Sequence, residues 1–179
     1  PLAVAMGFGH PALTGIGGSC PKVKPENIVF MGVRDIDPGE KVLIEKYKIK
    51  TYTAADIKRR GIKQVIAETI SYLRARCDGV HLSFDFDGID PADAPGVGTP
   101  VKAGISLADS LVAVRMFAGS GIIASAEFVE LNPILDENDK TAHIAVNIIG
   151  ELLGESIGKT MPSEETTEAV PLKAAGVSQ

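Results

Sequence analysis

The densest concentration of chemistry-bearing side chains is the run His81-Leu-Ser83-Phe-Asp85-Phe-Asp87-Gly-Ile-Asp90-Pro91. On a strand, residues i and i+2 face the same way, so Asp85 and Asp87 are expected to project together from a strand end. Two carboxylates held that close repel each other unless one is protonated or a cation neutralises them. Oxygen donors of this kind suit hard divalent ions such as Mg²⁺, Mn²⁺ or Ca²⁺. An EF-hand loop is excluded, because its fifth position would be Ile89 and its twelfth Gly96, where side-chain oxygens are required. The same residues also read as turn caps ahead of Pro91. Spacing alone leaves metal binding and capping both open.

The remaining titratable candidates carry less. His81 shares an even spacing with the pair but sits a strand length back, which reads as a buried core histidine. His10 and His143 have no acidic neighbours in sequence, and Glu127 stands at an odd spacing from Glu130. Between Lys41 and Lys63, eight basic residues face only Glu45 and Asp56. With Tyr47 and Tyr52 nearby they could suggest a nucleic-acid surface, but they read as solvated helix faces. A net charge of −5 agrees, since nucleic-acid footprints are basic.

The elements that must position these groups follow from periodicity. Ile28–Val33, Ile49–Thr53, Val80–Phe86 and Ile122–Val129 read as short strands, mostly apolar runs of parallel-sheet type. Helices are expected as a short one that Arg34–Glu40 leads into and that runs through Tyr47, across Ile62–Leu73, from the Ser106/Asp109 cap to a close at Gly119-Ser-Gly121, and from about Thr141 to Leu153. Pro1–Phe8 reads as the opening of a buried helix. The Gly-rich TGIGGSC behind it reads as a plain loop, because no strand precedes it. The first 21 residues carry no charged side chain and read as buried core. Their Gly and Pro interruptions exclude a membrane span. Strands alternating with helices predict a three-layer α/β/α fold with a mostly parallel sheet. The chemistry then belongs in the loops Arg34–Glu40, Asp87–Gly104 and Glu130–Asp136, at the carboxyl ends of the strands. A chain of 179 residues, 45% hydrophobic, can bury a real core. Cys20 and Cys77 form no C-x-x-C pair, and two reduced thiols suit a cytoplasmic protein.

The stretch Ser83-Phe-Asp85-Phe-Asp87-Gly-Ile-Asp-Pro91-Ala-Asp-Ala-Pro95-Gly96, continued through Val97-Gly-Thr99-Pro100 to Gly104, resembles the ureohydrolase signature at every fixed position. Arg34-Asp-Ile-Asp37-Pro-Gly-Glu40 and Glu130-Leu-Asn-Pro133 resemble the arginases in particular, more than the agmatinases. The likeness runs from Pro1 to about Gly158 and is to the C-terminal part of the ureohydrolase fold. Residues 1–158 are therefore expected to be part of a catalytic domain. Residues 159–179 are expected to be a tail, mobile or packed on a neighbouring subunit.

The resemblance implies hydrolysis of L-arginine to L-ornithine and urea at a site holding two Mn²⁺ ions, in a cytoplasmic homo-oligomer, a trimer or hexamer. It matches Asp85 to the carboxylate that bridges both ions and relays a proton to the leaving amine. It matches Asp87 to a ligand of one ion, and Glu130 to the partner of the substrate guanidinium. Asp37 matches the acceptor of the α-ammonium with Glu40 as helper, and Thr99 matches a polar contact near the guanidinium. The family draws its other ligands from a D-A-H-x-D-like motif and a further His, and neither has a counterpart here. The 179 residues alone are therefore expected to be inactive, the N-terminal half of the family's chain being missing. An agmatinase-like activity, or a non-catalytic fragment or assembly subunit, are the alternative readings. Neither nucleic acid nor membrane is expected as a partner.

Overall fold

The strand that leads into the carboxylate pair is β3 (Val80–Asp85), and its parallel neighbour is β4 (Ile123–Val129). The computed structural model describes residues 1–154. The expected tail at 159–179 lies outside the described residues. A second parallel ladder joins β1 (Val29–Val33) to β2 (Lys50–Thr53). The four strands thus make two two-stranded parallel ladders among the described residues, rather than one continuous ladder. An α/β architecture with parallel pairing is as the sequence pattern predicts.

The helices follow their local signals. Helix α1 (Leu2–Ala5) and α2 (Pro11–Thr14) are single turns. Helix α3 (Pro38–Lys46) begins behind Asp37, whose backbone N–H donates to Glu40 Oε2 at 3.2 Å. Helix α4 (Ala54–Arg60) starts on a capping box in which Asp56 N–H donates to Thr53 Oγ1 and Thr53 N–H donates to Asp56 Oδ2. Helix α5 (Ile62–Arg74) buries Ile62, Val65, Ile66, Thr69 and Leu73, the helical stripe read from the sequence. Helix α6 (Leu107–Ser120) opens on Ser106 and closes on Gly121, whose φ of 68° is the left-handed conformation glycine adopts most easily. Helix α7 (Lys140–Leu152) completes the set.

One core gathers Phe86, Ile89, Val97, Val114, Ile144 and Ile148 under the end of β3. A second gathers Tyr52, Ile57, Val65, Ile66 and Phe117 between α5, α6 and the strands. Phe84 and Phe128 pack on the first core, and Leu82 and Ile123 on the second. The opposite face of β3 and β4 carries the exposed side chains His81, Ser83, Asp85, Ser125 and Glu127. Three expectations change. The opening 21 residues bury only Met6 and Thr14, because four-residue helices broken by Gly and Pro present no continuous face to a core. Helices α2 and α4 were not expected. His81 is exposed rather than buried: strand alternation places it on the polar face, its Nδ1 2.8 Å from Ser125 Oγ and its Nε2 3.8 Å from Glu127 Oε1.

Candidate active site

The site begins where β3 ends. The strand stops at Asp85, and Phe86–Gly88 turn into a single 3-10 turn. Asp85 and Asp87 meet through that turn, with Asp87 N–H donating to Asp85 Oδ1 at 2.9 Å. The expected proximity holds, although the geometry is that of a capped turn and not of two positions on one strand. Phe86 between them is 1% exposed. It rests against Phe84 and Phe128 at centroid distances of 5.3 and 6.3 Å. An apolar anchor of that size fixes the backbone from which both carboxylates project.

Asp87 also accepts a hydrogen bond from Thr99 Oγ1 at 2.7 Å. Glu130 follows β4 directly, with φ of 69°. The left-handed conformation is costly for a residue with a side chain, and such outliers collect at functional sites. A Cβ placed on Gly98 would stand 3.9 Å from Glu130 Oε2, so Glu130 reaches toward the loop that carries Thr99. Asp85 as a residue is exposed, but its carboxyl is partly screened from water, and that partial desolvation, foremost, pushes it up to about 6. The nearby negative charges of Asp87 and Glu130 act in the same direction, while the Asp87 N–H opposes them. Among the described residues, no Lys, Arg or His forms an ion pair with Asp85, Asp87 or Glu130.

The other aspartates of the run do different work. Asp90 accepts from Ala92 N–H at 3.0 Å and from Gly104 N–H at 3.1 Å. Asp93 accepts from Leu107 N–H at 2.8 Å, at the start of α6. Asp136, which the sequence did not single out, accepts from Thr141 and Ala142 N–H, both at 3.0 Å, at the start of α7. The two readings left open by spacing both apply along the run: Asp90 and Asp93 accept only backbone N–H groups, whereas Asp85, although it also caps its turn, faces the carboxylates of Asp87 and Glu130. The glycines have a packing reason. A Cβ on Gly104 would stand 2.6 Å from the Ile89 carbonyl carbon, and one on Gly96 2.6 Å from Asp136 Cβ.

Asp37 and Glu40 lie at the start of α3, hydrogen-bonded to each other. They are not hydrogen-bonded to the carboxylate pair. What links the two regions is Arg34, quoted in the sequence motif but given no role there. Its Nη2 donates to the Asp87 carbonyl, and its Nε and Nη2 donate to the Val101 carbonyl at 3.1 and 2.8 Å. A half-buried arginine at a strand end was the signal available for it.

A divalent cation can be tested against these residues. Asp85 and Asp87 offer hard oxygen donors, and among the described residues no Lys, Arg or His is ion-paired to their carboxylates, which is the chemistry such an ion needs. Among the described residues, however, no group of three or more His, Cys, Asp or Glu side chains could enclose one. The pair fits as part of a coordination set and does not close one.

The profile of the arginase family matches residues 14–154. The chain is 57% identical over 157 residues to an arginase of Bacillus caldovelox, an alignment covering 88% of this chain and 52% of that protein. With an arginase of Bacillus subtilis the identity is 53% over 157 residues, covering 88% and 53%. The solved native structure of the Bacillus caldovelox enzyme superposes with a TM-score of 0.85 at 56% identity, covering 88% of this chain and 53% of that one. The structure of Entamoeba histolytica arginase in complex with L-ornithine superposes with a TM-score of 0.80 at 40% identity, covering 86% and 51%. The chain spans about half the length of the curated relatives it matches.

Proposed function

The chain belongs to the arginase family, and from that premise we propose that the intact protein carrying it hydrolyses L-arginine to L-ornithine and urea. The observation that carries this reading is the Asp85–Asp87 pair. It is held at a strand end by a buried phenylalanine, with Glu130 nearby, and among the described residues no Lys, Arg or His is ion-paired to it. Family membership implies a metal cofactor, and the proposed cofactor is a pair of Mn²⁺ ions, with Asp85 and Asp87 among the ligands. When bound, two such ions would make hydroxide available near neutral pH.

The chain's own residues take the following parts. Glu130 pairs with the substrate guanidinium, whose planar fork a carboxylate matches. Asp37, with Glu40 beside it, accepts the substrate α-ammonium. Thr99 fixes the Asp87 carboxylate through its hydroxyl and lies at the guanidinium end of the site. Asp85 takes a proton and returns it to the leaving amine. The protein is read as a cytoplasmic homo-oligomer, a trimer or hexamer. The free thiols of Cys20 and Cys77 support the compartment. Among the described residues no helix is long and apolar enough to cross a membrane.

Urea release from L-arginine by the intact, Mn²⁺-loaded protein is the test, with agmatine in parallel. Turnover of arginine in preference to agmatine is the expected result. No urea from arginine, or a preference for agmatine, refutes the reading. The 179-residue polypeptide by itself is expected to release none, since Asp85 and Asp87 cannot enclose an ion alone.

A further inference from the structure

We propose that Arg34 is a positioning residue that sets the spacing between the Asp37–Glu40 end and the Asp85–Asp87 end of the site, and so selects substrate length. The inference rests on the preceding reading of those two ends as the α-ammonium and guanidinium ends.

Helix α3, which begins at the Asp37–Glu40 end, buries none of its residues, so apolar packing does little to hold its start in place. Three residues before Asp37, the half-buried Arg34 spans to the other end of the site. One guanidinium nitrogen donates to the main-chain carbonyl of Asp87 itself, and the fork grips the Val101 carbonyl twice. Between these anchors runs the loop that carries Thr99, hydrogen-bonded to Asp87 Oδ2. One planar group therefore closes the loop from 87 to 101 and ties it to the segment leading into α3. The backbone approach is prepared at Gly32, where β1 loses register with β2 and φ is 77°. A Cβ at Gly32 would come within 2.7 Å of Ile105 Cδ1. Ile105 is itself bridged to Ile89, two residues beyond Asp87. The end of β1 is thus seated against the loop behind the carboxylate pair, and Arg34 locks it there. A lysine offers a point charge and no planar fork, so it cannot reproduce the grip on two carbonyls with fixed geometry.

The test uses the intact, Mn²⁺-loaded protein with Arg34→Gln and Arg34→Lys. Steady-state kinetics with L-arginine are compared with competitive inhibition by n-butylguanidine, which has the guanidinium but no α-ammonium. For Arg34→Gln, KM for L-arginine is expected to rise on the order of 10-fold with kcat held within about twofold. Inhibition by n-butylguanidine and bound manganese, which report on the Asp87 loop that Arg34 also holds, are expected to change far less than KM for L-arginine. Arg34→Lys is expected to fall between the two, and it answers the same question if Arg34→Gln does not fold. Equal weakening of L-arginine and n-butylguanidine, or loss of manganese with KM unchanged, would show that Arg34 only supports the Asp87 loop and would overturn the proposal. A wild-type protein that releases no urea from arginine refutes the functional reading, and the proposal with it.

Discussion

Two carboxylate clusters of this chain are built in opposite ways. In the middle of α5, Glu68 accepts from Arg60, from Gln64 at 3.1 Å and from the Tyr52 hydroxyl at 2.9 Å. Those partners, Arg60 first, hold its carboxyl down at about 2. At the end of β3, Asp85 has a second carboxylate beside it and a third nearby, and its carboxyl stands at about 6. The chain supplies a cation and two further donors to one group, and none of its own cations to the other. A folded protein gains by satisfying its charges, so a half-satisfied cluster on a well-packed base marks a place reserved for a ligand. The comparison also separates Asp85 from Asp90: both accept a backbone N–H from two residues on, but the Asp85 carboxyl is raised beside Asp87 and Glu130, whereas the Ala92 and Gly104 N–H groups hold the Asp90 carboxyl below its ordinary value.

The contrast can be broken most directly at Asp85. Asp85→Ala in the intact protein is expected to lower arginine hydrolysis on the order of 1,000-fold and to deplete bound manganese; metal analysis beside a urea assay decides, and retention of both removes the site assignment. Thr99→Val deletes the hydroxyl on Asp87 and is expected to weaken metal affinity or activity by about 10-fold, measured by manganese titration. Asp93→Ala removes a cap at the start of α6 and is expected to cost about 1 kcal/mol in denaturant unfolding, with kcat untouched. A catalytic loss matching that of Asp85→Ala would erase the division drawn within the run. Glu68→Gln is expected to matter least, a few degrees in Tm at most, since the pair with Arg60 is solvent-facing. Its sign follows from the depressed carboxyl. The stabilisation is fully present above the ordinary value of 4.5 and disappears as pH falls toward 2. Melting curves of the two proteins should therefore converge across that range, and a gap that widens on acidification would refute the assignment.

Much of this was legible in the residues. The stripe Ile62, Val65, Ile66, Thr69 and Leu73 could be read because a helix buries every third or fourth position whatever lies beneath it. The Ser106 and Gly121 ends of α6 could be read because capping needs only neighbouring atoms. His81 could not be read, since alternation says that two faces exist and not which one a core covers. The buried character expected of Pro1–Pro21 failed for a related reason: apolar composition without an element long enough to dock leaves a segment at the surface.

The sequence by itself determined the class of the fold and the strand that leads into Asp85 and Asp87, because those depend on residue type and local spacing; the candidate groups Asp37, Glu40, Thr99 and Glu130 came from its resemblance to the ureohydrolases. Only the tertiary structure decided which aspartates of the run are served by backbone N–H groups alone and which face further carboxylates, and which arginine ties the two ends of the site together. Arg34 reaches Asp87 across 53 positions of chain and Val101 across 67. Contacts at such separations are created by packing of the whole core, and no local pattern encodes them.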